Sequence, residues 1–306
     1  MTLSALDDCL IVGGGPAGLT AAIYLARFHL TVRVVDAGAS RAALIPCTRN
    51  HAGFPNGIAG RDLLDRMRRQ ALEAGAVVVQ ARITRLRPIE TRLAADTAAE
   101  RFEARAVLMA TGVTNRGVAM PARLRDAALA TGRLRYCPVC DGFEVTDKAV
   151  GVVGSGPRGV KEALFLRSYT ERITLIANDA AHCLSGDERD QLADFGVEVL
   201  DGPAVDFQIE AEGLSLSTAA GRRTFASIYP ALGSDVHSDL VRPLGAELTD
   251  DGCIRVDSHQ RTTAPRLYAA GDVVIGLDQI SHAMGQAGVA ATTIRNDLAM
   301  ETPLRR

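Results

Sequence analysis

The chain has almost no lysine: Lys148 and Lys161 are the only two, and arginine supplies the rest of its positive charge. That skew reads as codon bias and points to no mechanism. Charge of neither sign dominates, and a formal net charge of −2 argues against nucleic acid or an anionic membrane as the main partner. No apolar run reaches the roughly 20 residues needed to cross a bilayer. The opening residues, Met1 to Asp8, place no basic segment ahead of an apolar one. No secretory leader is therefore expected, and the expected location is cytoplasmic. A disulfide framework is missing as well, because six cysteines in 306 residues are too sparse for one. Cys9, Cys47, Cys183 and Cys253 are scattered and read as buried or idle thiols.

What remains is a globular composition, 47 % hydrophobic and 23 % charged, long enough to fill two domain cores. Only one cysteine pair is close. Cys137-Pro138-Val139-Cys140-Asp141 sets two thiols three positions apart with a carboxylate beside the second. This spacing serves a zinc knuckle, a structural disulfide or a redox pair. Zinc wants four ligands, and neither a second Cys-x-x-Cys nor paired histidines occur; His182 near Cys183 is isolated. A structural disulfide is disfavoured in a reducing compartment. What flanks the pair decides in favour of redox chemistry.

Cys9-Leu10-Ile11-Val12 reads as a short buried parallel strand. Gly13-x-Gly15-Pro16-Ala17-Gly18 follows, then a run at helical spacing (Leu19, Ala22, Ile23, Leu25, Ala26), then the strand Thr31–Val35 ending on Asp36. This is a complete βαβ unit with an acid about 20 residues past the glycines. Glycines admit a pyrophosphate to the backbone, the helix start offers free N–H groups, and Asp36 would accept from an adenosine ribose. The pattern returns at Ala149–Val153, Gly154-x-Gly156-x-x-Gly159, the helical run Val160–Leu166 and the strand Arg172–Ile176. There the residue matching Asp36 is Ala177, followed by Asn178 and Asp179, so the phosphate loop has no clear ribose reader and no arginine for a 2′-phosphate. Two further segments belong with the first unit. Ala106–Met109 runs into Ala110-Thr111-Gly112, and Arg266–Ala270 into Gly271-Asp272; ligands of such sheets sit at the carboxyl ends of strands. These pieces flank the second unit on both sides. The expected fold is α/β with two Rossmann-like, three-layer ββα dinucleotide domains, the second inserted into the first.

In their order, the first glycine loop, Ala110-Thr111-Gly112, Cys137–Gly142, the second glycine loop and Ala270-Gly271-Asp272-Val273 resemble the low-molecular-weight thioredoxin reductases. The likeness runs through the tail Asp278-Gln279-Ile280-Ser281 and Gly285. It implies an FAD domain at 1–112 and 243–306, a nicotinamide domain with the dithiol at 113–242, hinges near Gly112–Gly117 and Gly233, and a homodimer acting on a thioredoxin-like protein or a small disulfide. Gly13, Gly15, Pro16, Ala17 and Gly18 would hold the FAD pyrophosphate, with Asp36 and Ala37 at its ribose. Arg41, Asn50 and Ile83 are also placed at the FAD, Asp272 at its ribitol, and Gln279 and Ile280 at its ring edge. Gly154, Gly156 and Gly159 would take the phosphates of NADPH or NADH. Cys140 would face the flavin, Cys137 would attack the substrate disulfide, and Asp141 would serve as their acid.

The sequence also departs from the family. Ala177-Asn178-Asp179 stands where relatives carry the His-Arg-Arg reader of the NADPH 2′-phosphate, and Gly159 stands where alanine is common. A different donor or acceptor, oxygen or ferredoxin, with a vestigial nicotinamide domain is therefore the alternative. His282 occupies a position that is small or hydroxylated in many relatives. It reads as a supporting histidine, with a proton relay as the sharper possibility. At the dithiol, Pro138 suits a helix start that would favour a thiolate, and partial burial would raise the pKa of Asp141.

Overall fold

A computed structural model describes residues 6–304. Of the opening stretch Met1 to Asp8, residues 1–5 lie outside the described residues. No helix among the described residues is long and apolar enough to cross a membrane. The chain forms two compact units. One comprises the chain up to Leu44, Ala59–Thr114 and the chain from Val236 on; the other comprises Ile45–Ile58 and Asn115–Asp235.

The first unit is built on a seven-stranded sheet. Its strands run in the order Val77–Gln80, Val32–Asp36, Asp7–Val12, Arg101–Met109, Arg92–Asp96 and Arg85–Ile89, with Leu267–Ala269 also pairing to Arg101–Met109. Pairing is parallel from Val77–Gln80 to Arg101–Met109 and at Leu267–Ala269, and antiparallel at the other edge. The central strand Asp7–Val12 is buried along nearly its whole length, as a sheet covered on both faces requires. Its alternate residues Leu10 and Val12 enter one apolar cluster with Val35, Val107, Met109 and Leu267. The helices Pro16–Arg27 and Ile280–Glu301 pack against each other in the same unit.

The second unit is layered in the same spirit. Its parallel sheet runs Glu198–Leu200, Ile173–Ile176, Val150–Val153, Ser227–Pro230. An antiparallel meander, Val205–Glu210, Gly213–Thr218 and Gly221–Phe225, packs on one face. There Phe207, Leu214, Leu216 and Phe225 join Val153, Ile176 and Ile228 in one cluster. The other face takes the helix Gly156–Leu166 through Val160, Ala163 and Leu166 against Val150, Val152 and Leu175. The period-two alternation along Val150–Val153 is what separates the two layers. The strands at the two crossings, Val113–Asn115 and Ser234–Val236, pair with each other as a two-stranded ribbon.

Candidate active site

The first glycine loop is shaped by contact, not by flexibility. Gly13 has φ +111°, and a Cβ there would lie 2.3 Å from the Ala110 carbonyl oxygen. A Cβ on Gly18 would lie 1.9 Å from the Gly13 carbonyl oxygen, so the helix can approach the strand only with glycine at that position. Gly18→Ala should cost at least about 1–3 kcal/mol by overpacking, read as a lower Tm and poorer flavin retention in purified protein. The helix Pro16–Arg27 begins at Gly15 with no side-chain cap and Pro16 in its first turn. Its first N–H groups thus keep the positive end of the helix for an anion. Ala17 packs beside Gly271, whose own Cβ would lie 2.9 Å from that of Ala17.

Asp36 ends its strand at 7 % exposure. Its Oδ1 accepts from the N–H of Gly14 at 3.2 Å and of Gly38 at 3.1 Å, and its Oδ2 accepts from Arg68 at 2.9 Å. Ala37 beside it is exposed. Arg68, on the helix Gly60–Glu73, is a functional neighbour that no motif marked. Arg41 lies in the short 3₁₀ turn Arg41–Leu44 and donates to Asp272 at 3.1 Å and Asp278 at 2.8 Å. Burial and the neighbouring Asp278 push the Asp272 carboxyl up, and Arg41 partly offsets them. Gly271, with φ +83°, donates its N–H to the Gln286 side chain at 2.8 Å. Gln279 immediately precedes the final helix, whose first residue is Ile280, and its side chain donates to the Asp278 carbonyl at 3.0 Å. The exposed His282 stands against Gly276 in the same unit. Ile83 packs into the apolar core.

Ala110, Thr111 and Gly112 follow the strand Arg101–Met109 and are pinned by His237, a residue without a sequence signal. Thr111 Oγ1 donates to the His237 carbonyl at 2.7 Å, and the His237 ring contacts the Thr111 carbonyl at 3.0 Å and the Thr114 hydroxyl at 2.9 Å. A long-chain dinucleotide such as FAD fits this unit: one uncapped helix start, one buried carboxylate at the neighbouring strand end, and a second, half-buried carboxylate after Gly271.

In the second unit Gly154, Gly156 and Gly159 form the matching turn, with Gly156 at φ +60° and an uncapped helix start at Ser155. The Ser155 hydroxyl is already engaged: it accepts the N–H of Cys183 at 2.8 Å and lies 3.1 Å from the His182 ring. Ala177 is buried, Asp179 is exposed, and Asp201 accepts the His182 N–H at 3.1 Å. This loop suits a pyrophosphate, while Ala177, Asn178 and Asp179 at the strand end offer a 2′-phosphate no cation.

Cys137 and Cys140 are joined as a disulfide, their Cα atoms 5.3 Å apart. Cys137 caps a single helical turn, Pro138–Asp141, and its sulfur accepts the Cys140 N–H at 3.2 Å. A turn this short carries little dipole, so that direct hydrogen bond replaces the helix-start stabilisation expected from the sequence. Asp141 is held on both oxygens. Arg135 donates to Oδ2 at 2.8 Å and the hydroxyl of the buried Tyr229 to Oδ1 at 2.9 Å. Burial raises the Asp141 carboxyl above the usual range, and Arg135 and Tyr229 pull the other way. Asn50, expected at the FAD, lies in the segment Ile45–Ile58, where its amide donates to the Val139 carbonyl at 3.3 Å. Arg49 beside it faces Glu144 at 3.5 Å. Arg135 stands only two residues before Cys137, in no motif that marks it. Tyr229 comes from a strand far along the chain and has no local signal.

Among the described residues no group of three or more His, Cys, Asp or Glu could hold a metal ion. The remaining cysteines are free: Cys9 is buried, Cys47 and Cys253 half-buried, Cys183 exposed.

Comparison with known proteins agrees with this chemistry. Residues 7–287 match the family model described as pyridine nucleotide-disulphide oxidoreductase. The chain is 31 % identical to a thioredoxin reductase of Mycolicibacterium smegmatis, over 89 % of this chain and 90 % of the relative. Identity to a thioredoxin reductase of Streptomyces clavuligerus is 30 %, over 95 % and 91 %. The crystal structure of thioredoxin reductase from Streptococcus pyogenes superimposes with a TM-score of 0.89 at 26 % identity, covering 97 % of this chain and 99 % of that one.

Proposed function

Because this chain belongs to the pyridine nucleotide-disulphide oxidoreductase family, we propose a cycle in which a reduced nicotinamide is the donor and a thioredoxin-like protein disulfide the acceptor. The chain is an FAD-dependent, thioredoxin reductase-like disulfide oxidoreductase. The observation that carries the cycle is the Cys137–Cys140 disulfide beside a half-buried carboxylate with two donors.

The first unit holds FAD through the Gly13–Gly18 turn and the helix start at Pro16, with Asp36 and Asp272 at its hydroxylated ends. The second takes the nicotinamide phosphates at Gly154–Gly159. Bound flavin supplies the two-electron exchange between nicotinamide and sulfur. The remaining steps belong to side chains. Cys140 takes up electrons as its bond to Cys137 opens. Cys137, freed by that opening, attacks the substrate disulfide as its thiolate, its proton passing to the first substrate sulfur released; Cys140 then breaks the mixed disulfide, releasing the second substrate sulfur and restoring the internal bond. Asp141 gives a proton to the Cys137 sulfur as the internal bond opens and is re-protonated before the next turnover. Arg135 and Tyr229 fix its orientation.

The adenosine-ribose end of the second unit's site favours a donor without a 2′-phosphate. The argument is electrostatic: Asp179 and Asp201 lie at that strand end, and no arginine stands at Ala177, Asn178 or Asp179. Anaerobic NADH should bleach the flavin of the purified protein at lower concentration than NADPH, followed at the flavin absorbance. Bleaching by NADPH alone would contradict this preference. A second reading, dithiol oxidation with oxygen or ferredoxin taking the electrons, draws on the tied Ser155 hydroxyl in the second loop. It predicts no bleaching by either nicotinamide and oxygen consumption driven by a dithiol alone.

A further inference from the structure

Opening an internal disulfide with two electrons and one proton leaves one thiol and one thiolate. Delivering both sulfurs as thiols takes a second proton, which comes from outside the reacting pair. Burial raises the Asp141 carboxyl, while Arg135 and Tyr229 donate to its oxygens and favour the anion, so a second acid beside it would keep it supplied with a proton.

Behind Asp141 stands Glu162, on the helix Gly156–Leu166 that packs against the dithiol turn. Its Oε1 is buried and meets no hydrogen-bond partner among the described residues. A buried carboxylate oxygen without a donor is costly as an anion and comfortable as an acid. Two charged groups act on it: Arg158 from its own helix, and Asp141 from the dithiol turn. Asp141 in turn faces Arg135, Tyr229 and Glu144.

We propose that Glu162 is the proton reservoir of the dithiol centre, supplying through Asp141 the proton consumed each time the Cys137–Cys140 bond is opened. It is a positioning and relay residue, since it acts through Asp141 and not on sulfur. Burial pushes its pKa up to about 7, with Asp141 adding to the rise and Arg158 opposing it. The sign follows from that value. Below about pH 7 Glu162 carries the proton, and as pH rises through it the reservoir empties and disulfide opening slows. Coupled to Asp141, the pair loses its protons as a unit.

This inference rests on the flavin–dithiol reading above, and the test separates the two. Holoprotein fully reduced with dithionite is mixed anaerobically with excess small aromatic disulfide, and the return of flavin colour is followed from pH 6 to 8. No nicotinamide is needed. In the wild type the rate should fall about tenfold across this range, and in Glu162→Gln it should be about tenfold lower at pH 6 and nearly flat. Arg158→Gln should move the fall to higher pH, because it removes the cation that opposes the raised pKa. This second variant decides the matter if Glu162→Gln does not retain flavin. An unchanged pH profile in Glu162→Gln, or an unmoved one in Arg158→Gln, overturns the inference. Failure of flavin colour to return in the wild type would instead sink the flavin–dithiol reading.

Discussion

Cys140→Ser should leave a yellow, folded protein that reduced nicotinamide still bleaches but that turns over no disulfide. The expected fall is roughly 10³-fold or more, the scale at which removing a covalent nucleophile disables a catalytic unit. Serine is close to cysteine in size, and the half-buried turn Pro138–Asp141 keeps its backbone bonds from Cys140 and Asp141 to the Cys137 carbonyl. Loss of activity therefore reports chemistry and not collapse. Cys137→Ser should be equally inactive towards a substrate disulfide, because a lone Cys140 thiol offers no S–S bond to accept electrons and no attacking sulfur remains. The double variant should be no worse than either single one, because the two sulfurs act as one couple. Disulfide-dependent nicotinamide oxidation, run beside anaerobic flavin bleaching, checks all three.

Asp141→Asn should slow disulfide turnover by about 10²-fold, the lower end of what general acid catalysis contributes. That is about 2.7 kcal/mol of barrier at 1.36 kcal/mol per tenfold. Asparagine keeps the shape and an acceptor for Tyr229, so flavin content and Tm should change little. What it removes is the proton. Tyr229→Phe makes the complementary test. The Tyr229 hydroxyl stabilises the Asp141 anion, so deleting it raises the carboxyl further. The acid form then persists to higher pH, and the alkaline fall in turnover should shift upward. A pH–rate profile measured on the three proteins distinguishes this from a packing effect, which would lower the curve without moving it.

Much of this site could be read from residues alone, because its strongest signals are local. Two glycine turns, each between a short apolar strand and a helical run, predict what is found at Asp7–Arg27 and Val150–Leu166. Cys137 to Asp141 are adjacent in sequence, and their pairing needs only a turn. Long-range partners are another matter. Asp141 is fixed by Tyr229 from 88 residues away, and Asp36 by Arg68 from 32. No spacing rule joins such pairs. The return crossing is equally silent: Ser234-Asp235-Val236 is too polar and short to announce a strand, yet it pairs with Val113–Asn115. Sequence placed the crossings near 113 and 243, and the compact units divide after Thr114 and after Asp235. The segment Ile45–Ile58 groups with the second unit, where the Asn50 and Arg49 contacts to the dithiol turn lie, and nothing in its composition marks that. Glu162 would have passed as one more polar helix residue; only its buried, unpartnered oxygen distinguishes it.

Electron counting tests the core of the account. Anaerobic dithionite titration of the holoprotein should consume about four electrons per chain in the wild type, a two-electron couple at sulfur added to one at flavin, and about two in the Cys137→Ser/Cys140→Ser protein. If the wild type also stops at two, the sulfurs at 137 and 140 do not take electrons and the proposed cycle is wrong.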